Sequence, residues 1–454
     1  MRSCFKEKMH LSAKSLLKRT RCVVEKIKEK EKGNQGKQQA ISLTDCLMSA
    51  VAMFKLKFPS LLQFEKAKAE EPIKQNLKNL FGLENIPSDT YMRERLDEVD
   101  PEKLRPAFTS CFSAVQRGKQ LEKYRFLDEK YLLLVDGTGF FSSTKIHCKN
   151  CCEARRKDGS IRYYHQMLGA VIAHPDFKEV LPICPEPIMK EDGATKNDCE
   201  RNAATRLLKS FRREHPHLPV VIVEDALSAN GPHLTLLKEL NMNFIIVVKP
   251  NSNKALFDWV ETIDWEKNNS KGNDSQGSVS FLDEREVEHR LKFVNNVALN
   301  NSHKDLMVNF LEHFEVDKKG KVLYHNTWIT DTIITQHNAY EIARGGRARW
   351  RIENETFNTL KNQGYQFEHN FGHGYKNLSS VFSQLMMLVF LIDQIEQLCC
   401  GLFQGALRKM ESRKSYLWRR IRGLFEFYII ESWTILYKAI TAGLKSYVVP
   451  LNTS

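Results

Sequence analysis

Two short apolar runs, each followed by a carboxylate, constrain the fold of this chain more than any other feature. Residues 131–135 precede Asp136, and residues 220–224 precede Asp225. Continuous apolar runs of this length are typical of strands buried on both faces. Because Asp136-Gly137 is a common turn dipeptide, the first strand is expected to end there. Strands buried on both faces need helices on either side, which favours an α/β fold.

The segments around these two strands indicate a mixed α/β sheet. Strand-like segments are predicted at 139–146, 162–172 and 180–183, followed by a helix that includes Ala203 and Leu207, a strand at 218–223, a helix at 232–240 and a strand at 244–248. Three strands, a helix, a strand, a helix and a strand describe an RNase H-like core.

Composition and pattern divide the chain into six predicted parts. They are a basic N-terminal arm (1–40), a helical region expected to bind DNA (41–125), the first part of the catalytic core (126–251), a mostly β insertion (252–335), the helices that complete the core (336–400) and a C-terminal helical region (401–454). The helices of 41–125 fit either a helix-turn-helix DNA reader or a plain bundle.

The charge balance favours nucleic acid as the partner. The chain carries a net charge of +13 and has a pI of about 9.1. Twelve Lys and Arg residues against four Glu give residues 1–38 a net charge of +8, which fits either a solvated tail or a non-specific DNA arm. A membrane is disfavoured, because the longest apolar run, 385–392, is far shorter than the roughly 20 residues that span a bilayer. No secretory signal is evident.

The eleven cysteines show no regular spacing, so reduced thiols and a cytoplasmic, nucleoid-associated location in a prokaryotic host are expected. Cys148 and Cys151 form a CxxC pair that is followed by His165, Cys184 and Cys199. A structural zinc site at Cys148 and Cys151 needs a second ligand pair, which the sequence does not identify. A reduced cysteine cluster is therefore favoured over zinc.

A third carboxylate, Glu353, lies on a predicted helix that extends from about 339 to 362. At 100° per residue it falls in the same sector as the apolar Ile342, Trp350, Phe357 and Leu360. An ionised carboxylate on a core-facing stripe is costly unless a cation balances it. Either Arg349, one turn earlier, pairs with it, or a metal shares it. Glu355 is the rival third carboxylate.

Three carboxylates at strand and helix ends would form a site for Mg²⁺, because hard oxygen ligands suit that ion, and Mn²⁺ can substitute. The segment from Arg349 to Glu353 resembles the signature Y-x2-R-x3-E-x6-K of DDE transposases of insertion-sequence family four. The resemblance implies that Asp136, Asp225 and Glu353 are the catalytic, metal-binding triad. Two positions depart from the signature: Gly346 stands in place of the tyrosine, and Leu360 in place of the lysine, with Lys361 next to it.

The resemblance also implies residues that bind DNA. Arg349 would contact the transposon end, and Lys361 and Arg351 would lie close to phosphate. Trp328 is either a platform for a flipped base or an ordinary core tryptophan. Lys196 and Arg201, at the start of a helix, are expected phosphate contacts. His369, His373 and Lys376 lie in a loop that either contacts DNA or forms a polar turn.

The function implied is cut-and-paste transposition of an insertion sequence, in which an endonucleolytic step is followed by strand transfer from the 3′-OH. The full family chemistry would include a DNA hairpin intermediate. The partners would be double-stranded DNA, with its terminal inverted repeats and target, and a second subunit in a homodimer. Six apolar or aromatic residues of the C-terminal region would either make the dimer contact or pack on their own core: Leu417, Trp418, Leu424, Phe425, Phe427 and Tyr428. The alternatives are an RNase H-fold nuclease without strand transfer and an inactive DNA-binding derivative.

Overall fold

A computed structural model describes residues 9–27, 41–190, 200–263, 265, 275–443 and 449–450. Within these ranges, α-helices dominate the chain before the sheet. They are α1 (Ala13–Val24), α2 (Leu43–Lys55), α3 (Leu61–Ala67), α4 (Glu71–Phe81), α5 (Asp89–Asp97) and α6 (Arg105–Arg117).

Helix α1 belongs to the part of the chain that was predicted to be a basic arm. Leu16, Leu17 and Val24 on this helix are buried, and α1 packs against α2, α4 and α6. Residues 13–24 are therefore a packed helix, because their apolar residues recur at helical spacing and cover one face. The rest of the predicted arm, apart from residues 9–12 and 25–27, lies outside the described residues.

The central sheet has the predicted RNase H-like order of elements. Its elements are β1 (Arg125–Phe126), β2 (Lys130–Ser143), β3 (Cys152–Arg155), β4 (Ile161–Ala173), β5 (Leu181–Pro182), β6 (Glu186–Ile188), α7 (Glu200–Glu214), β7 (Val220–Glu224), α8 (Gly231–Glu239) and β8 (Asn243–Val247). The strands lie in the order β3-β4-β2-β7-β8. Strand β2 is antiparallel to β4 and parallel to β7, so the sheet is mixed. This confirms the predicted fold class.

The turn predicted at Asp136-Gly137 is wrong, because β2 continues to Ser143. Asp136 pairs with Gly169 of β4, and the register shifts only between Gly139 and Phe141. Pairing with the long strand β4 keeps the backbone extended through a dipeptide that favours a turn in isolation. Asp136 therefore lies inside a strand rather than at its end.

The insertion is mostly β, as predicted, and it extends the central sheet. Its elements are α9 (Lys254–Glu261), β9 (Gln276–Leu282), β10 (Glu288–Asn300), β11 (His303–Val316) and β12 (Val322–Thr330). Strand β12 is antiparallel to β8, with Trp328 opposite Val247. The insertion is thus hydrogen-bonded to the edge of the core sheet.

The predicted long helix over 339–362 is interrupted. Helix α10 (Ala339–Arg347) is followed by a short break, a π-helical turn (Ile352–Phe357) and α11 (Asn358–Asn362). Helix α12 (Leu378–Cys399) then crosses the core. By length and composition, α12 is the one helix of the described chain that is apolar enough to cross a membrane, but 94% of its apolar window is buried inside the protein.

The C-terminal region packs on its own chain. It comprises α13 (Gly401–Lys409), α14 (Lys414–Phe427), β13 (Tyr428–Ile429), α15 (Trp433–Ala442) and β14 (Val449–Pro450). Leu417, Trp418, Leu424 and Phe425 are buried, whereas Phe427 is 69% exposed. Asn76 of α4 donates from Nδ2 to the carbonyls of Phe425 and Tyr428, at 3.1 and 2.8 Å. Because α4, α13 and α15 pack against α14, the four buried residues pack on their own core, which is the second of the two alternatives considered for them.

A buried network of charges joins the N-terminal helices to α12. Lys55 of α2 pairs with Asp393 and Glu396 of α12. Lys57 Nζ lies 2.7 Å from Asp393 Oδ2. Tyr365 and Tyr437 donate their hydroxyl protons to Asp393 and Glu396, at 2.5 and 2.7 Å. Two ammonium groups thus face two carboxylates in a place that water does not reach.

Candidate active site

Asp136 lies within β2, and Asp225 directly follows the neighbouring parallel strand β7. The register pairs Leu134 of β2 with Val223 of β7, and Asp136 and Asp225 each come two residues after that pair in the chain. Parallel strands are about 4.8 Å apart, which places the two backbones in adjacent positions. The Asp225 side chain also accepts a hydrogen bond from the Leu227 amide at 3.0 Å. Asp225 can therefore cap the turn that follows it and still lie beside Asp136.

Glu353 reaches the same edge from the π-helical turn. Phe357, in that turn, packs against Gly169, where a Cβ would lie only 3.0 Å from the ring. Since Gly169 pairs with Asp136, this contact fixes the turn over the aspartates. The side chain of Glu353 is exposed. The predicted apolar sector is correct for Ile342, Phe357 and Leu360, which are buried, and wrong for Glu353 and for Trp350, which is 50% exposed. The phase calculation assumed an uninterrupted α-helix, and the break and π turn change the phase.

Arg349 pairs with Asp136 rather than with Glu353. Its Nη1 lies 2.8 Å from Asp136 Oδ2, and Asp136 Oδ1 accepts a hydrogen bond from the Gly137 amide at 2.9 Å. Of the two alternatives considered for Glu353, the ion pair with Arg349 is therefore not the one that forms. Arg349 lies before the π turn, so its side chain points to the strand rather than along its own helix.

The carboxylates at this edge influence one another. Burial raises the pKa of Asp136, Arg349 and the Gly137 amide lower it, and the nearby Asp225 and Glu353 raise it again. The pKa of Asp136 stays above its usual value. Three acidic groups with one paired arginine thus leave negative charge uncompensated, which is characteristic of cation-binding and catalytic sites.

A fourth carboxylate, Glu200, was missed by the sequence interpretation. It opens helix α7, and a Cβ on Gly137 would overlap with its carboxylate. Burial raises the pKa of Glu200, and Asp225 and Asp136 raise it further. Gly137 was the available signal, because a glycine inside a strand often marks the close approach of another group. The sequence does not show which group approaches.

The donor set fits a divalent cation with hard ligands. Asp136, Asp225, Glu353 and Glu200 offer carboxylate oxygens only, with neither sulfur nor imidazole among them. Oxygen ligands suit Mg²⁺ and Mn²⁺. Burial, and to a smaller extent the neighbouring carboxylates, raises the pKa of Asp136 and Glu200, and a bound cation would favour their ionised forms.

Just over half of the chain matches a known protein family. A family model for the transposase DDE domain matches residues 163–392 of the 454. The chain belongs to the DDE transposase family. The matched segment contains Asp225, Arg349 and Glu353, while Asp136 precedes it. No curated protein matches this transposase. Transposases of this family bind DNA, cut and transfer its strands and generally use a divalent metal.

Trp328 of the transposase is fully buried in β12. A Cβ on Gly346 would overlap with its Nε1, so only glycine fits where the family-four signature has tyrosine. A base cannot stack on Trp328 in this conformation, because the core covers the indole on every side. Of the two roles considered for Trp328, the core role is the one that fits this burial. Trp350, one residue after Arg349, is the half-exposed tryptophan of this segment.

The other predicted DNA contacts lie at different places on the transposase. Arg351 donates to the Pro175 carbonyl and lies 3.8 Å from Glu355. Lys361 Nζ is 3.0 Å from Glu368 Oε1. Arg201 is exposed on α7, next to Glu200. Lys196 lies outside the described residues.

Proposed function

We propose that this transposase catalyses cut-and-paste transposition of an insertion sequence, with Asp136, Asp225 and Glu353 as the catalytic triad. The observation that carries the proposal is that β2, β7 and the π turn bring carboxylates to one edge of the sheet, with Arg349 paired to Asp136. The match of Arg349 to Glu353 with the family-four signature supports a place in that family.

Mg²⁺ is the proposed cofactor, with Mn²⁺ as a substitute, and the triad would hold it with Glu200 as an added oxygen donor. When bound, such an ion lowers the pKa of an attacking water or hydroxyl and balances charge at the phosphoryl group. Asp136 must lose its proton to become a ligand. Arg349 favours that loss, because its guanidinium stabilises the Asp136 carboxylate.

The proposed chemistry has two balanced steps. In the first, water attacks a phosphodiester at the transposon end; a P–O bond forms, the bond to the 3′-oxygen breaks, and a 3′-OH and a 5′-phosphate remain. In the second, that 3′-OH attacks a target phosphodiester and displaces the target's own 3′-oxygen. Each step exchanges one P–O bond for another, so strand transfer needs no external energy source. A hairpin intermediate would insert one further exchange of the same kind.

DNA contact is proposed for Arg349, Arg351, Lys361 and Arg201, and for Lys196. Arg349, Arg351 and Lys361 now pair with Asp136, Glu355 and Glu368. Of these pairs, only Lys361–Glu368 has a largely exposed carboxylate, with Glu368 63% exposed. Exposed ion pairs are weak, typically about 0–1 kcal/mol, so a phosphate can replace Glu368 at little cost. Trp350 offers an exposed ring for base stacking, which is worth about 1–3 kcal/mol per base.

The proposed working form is a homodimer on DNA in the cytoplasm of a prokaryotic host. Joining two ends to one target requires both ends in one complex. Light scattering of the protein, with and without a duplex of its terminal inverted repeat, should show at least two chains per DNA complex. An active complex of one chain and one DNA end would favour the nuclease alternative instead.

The decisive experiment compares Glu353→Gln with Glu355→Gln. The substrate is a duplex that carries the element's own terminal inverted repeat, read from the DNA beside its gene. With Mg²⁺, Glu353→Gln should abolish cleavage and strand transfer but retain DNA binding, whereas Glu355→Gln should remain active. Loss of activity in Glu355→Gln alone would contradict the assignment of Glu353. Cleavage by the wild-type protein without joining to a target plasmid would contradict transposition and favour a nuclease.

A further inference from the structure

Four metal-binding side chains meet in a buried cluster away from the carboxylates. They are Cys148 and Cys151 in the segment between β2 and β3, His165 of β4, and His373 in the segment between α11 and α12. All four are buried, and their ligand atoms lie within 4.8 Å of one another. Two thiols and two imidazoles form the Cys2His2 donor set of structural zinc sites.

The spacing of the donor atoms agrees with tetrahedral zinc. Zn–S bonds of about 2.3 Å and Zn–N bonds of about 2.0–2.1 Å place tetrahedral ligands about 3.8 Å apart for two sulfurs and about 3.6 Å for sulfur and nitrogen. The two Sγ atoms are 3.9 Å apart. His165 Nε2 is 3.4 Å from each Sγ, and His373 Nε2 is 3.3 Å from Cys151 Sγ.

The surroundings are those of a closed structural site. The Cys148 amide donates to Cys151 Sγ at 3.4 Å, as in a turn that holds both thiolates on one side. The Phe141 ring lies 4.3 Å from that of His373 and 5.9 Å from that of His165, which limits access of water. A disulfide does not explain the pair, because an S–S bond is about 2.05 Å long.

The cluster is distant from the reacting edge. His165 pairs with Phe141 on β2, and Asp136 is five residues earlier on that strand, which corresponds to about 17 Å at 3.4 Å per residue. With four protein donors, a tetrahedral ion would have no open position for substrate. A role in holding the fold is therefore favoured over a role in catalysis.

One of the four ligands comes from a part of the chain far from the other three. His373 is 222 residues from Cys151, and its segment follows the helix that carries Glu353. The same segment is also held from the other side, because the Asp97 carboxylate of α5 accepts hydrogen bonds from the amides of residues 375–378, at 2.9–3.2 Å. Asn150 Nδ2 donates to the Lys376 carbonyl at 2.6 Å.

We propose that Cys148, Cys151, His165 and His373 bind one structural Zn²⁺ that fastens the segment after the Glu353 helix to strands β2–β4. His373 would then be a zinc ligand and not the DNA contact that was considered for it. The bound ion would cross-link the segment between α11 and α12, which has little regular structure of its own, to the sheet. This proposal is independent of the metal at the carboxylates, since the donor types differ.

The test is the zinc content of the full-length protein after dialysis against Mg²⁺ buffer. Wild type should retain about one zinc per chain, and Cys148→Ser and His373→Asn less than about 0.1. Cys152→Ser is the matched control, because the Cys152 thiol points to the Ile188 carbonyl, 3.7 Å away. Asp225→Asn should also retain zinc. Wild type without zinc, or Cys148→Ser with a full equivalent, would overturn the proposal.

Cobalt substitution tests the site in the wild-type protein, which does not depend on whether the variants fold. Co²⁺ added to wild-type protein freed of zinc should give the visible bands of a tetrahedral site and the ultraviolet bands of cobalt–thiolate bonds. His373→Cys, which preserves four soft donors, should bind one equivalent and show stronger thiolate bands than wild type. An octahedral cobalt spectrum without thiolate bands would show that the cluster does not bind the ion.

Discussion

The two clusters of charged side chains in this transposase differ in how their charges are balanced. In the buried network, Lys55 and Lys57 face Asp393 and Glu396. Burial raises the pKa of Asp393, but the two ammonium groups outweigh burial, and the pKa lies below its usual value. At the active edge the pKa of Asp136 lies above its usual value despite Arg349. In the buried network the pKa of Glu396, which pairs with Lys55 alone, is raised as well. The two ammonium groups of the network match its two carboxylates in number, whereas the active edge has more carboxylates than paired cations.

The same substitution, aspartate to asparagine, should therefore affect a different property in each cluster: the cleavage rate at the active edge and the free energy of unfolding in the buried network. Asp225→Asn should reduce DNA cleavage by at least about 10³-fold, or about 4 kcal/mol of barrier, with no loss of stability. Asp393→Asn should lower the free energy of unfolding by about 3–5 kcal/mol, because it leaves a buried ammonium group uncompensated. Chemical denaturation and cleavage assays on both variants measure the difference. If Asp225→Asn unfolds, or Asp393→Asn is as stable as wild type, the comparison is wrong.

Within the part of the chain that the structure describes, Arg349 is the cation paired with Asp136, so its removal should increase the excess of negative charge there. In Arg349→Gln the pKa of Asp136 should rise further, and protons should compete with Mg²⁺ at higher pH. The acid limb of the cleavage-rate profile should therefore move to higher pH, with a loss of about 10–100-fold at neutral pH. Arg125→Gln is the control, since Arg125 pairs with Glu129 on the surface. An unchanged pH profile in Arg349→Gln would show that the ion pair does not act on Asp136.

Substitution of Glu200 should give the smallest change, and that change should be a gain in stability rather than a loss. Its pKa is raised above 4.5 in the folded protein, so its charged form costs stability at neutral pH, and the cost disappears as pH falls below 4.5. Glu200→Gln should raise the melting temperature at pH 7 by about 1–2 °C without Mg²⁺, and the gain should vanish at low pH. Saturating Mg²⁺ should also remove the gain, because the ion balances the carboxylates. Glu239→Gln, on the exposed side of α8, should show none of these changes; a gain that is independent of pH would contradict the electrostatic explanation.

Local patterns in the sequence were sufficient for much of the fold. The strand predicted at 218–223 is Val220–Glu224, and the helix predicted at 232–240 is Gly231–Glu239. Both depend on burial of residues that are near one another in sequence. The continuation of β2 past Gly137 was not predictable, because pairing with β4 overrides the local turn preference.

The candidate site was predictable only in part for the same reason. Asp136 and Asp225 follow apolar runs that are visible in the sequence, and their adjacency follows from parallel pairing of the two strands. Glu200 and His373 carry no local pattern, and their partners come from other strands and loops. Asp136 as the partner of Arg349 was not predictable, because helical spacing describes neighbours on one helix and not contacts with the sheet.

The π-helical turn at Ile352–Phe357 has a consequence for sequence comparison. Hydrogen bonds from residue i to i+5 hold one more residue per turn than those of an α-helix. A one-residue gap between Glu353 and the lysine of the family-four signature would accommodate this turn. Without the gap, the pattern reaches the buried Leu360; with it, the pattern reaches Lys361, which is partly exposed. A search with fixed spacing therefore finds an apolar residue at the lysine position and passes over Lys361.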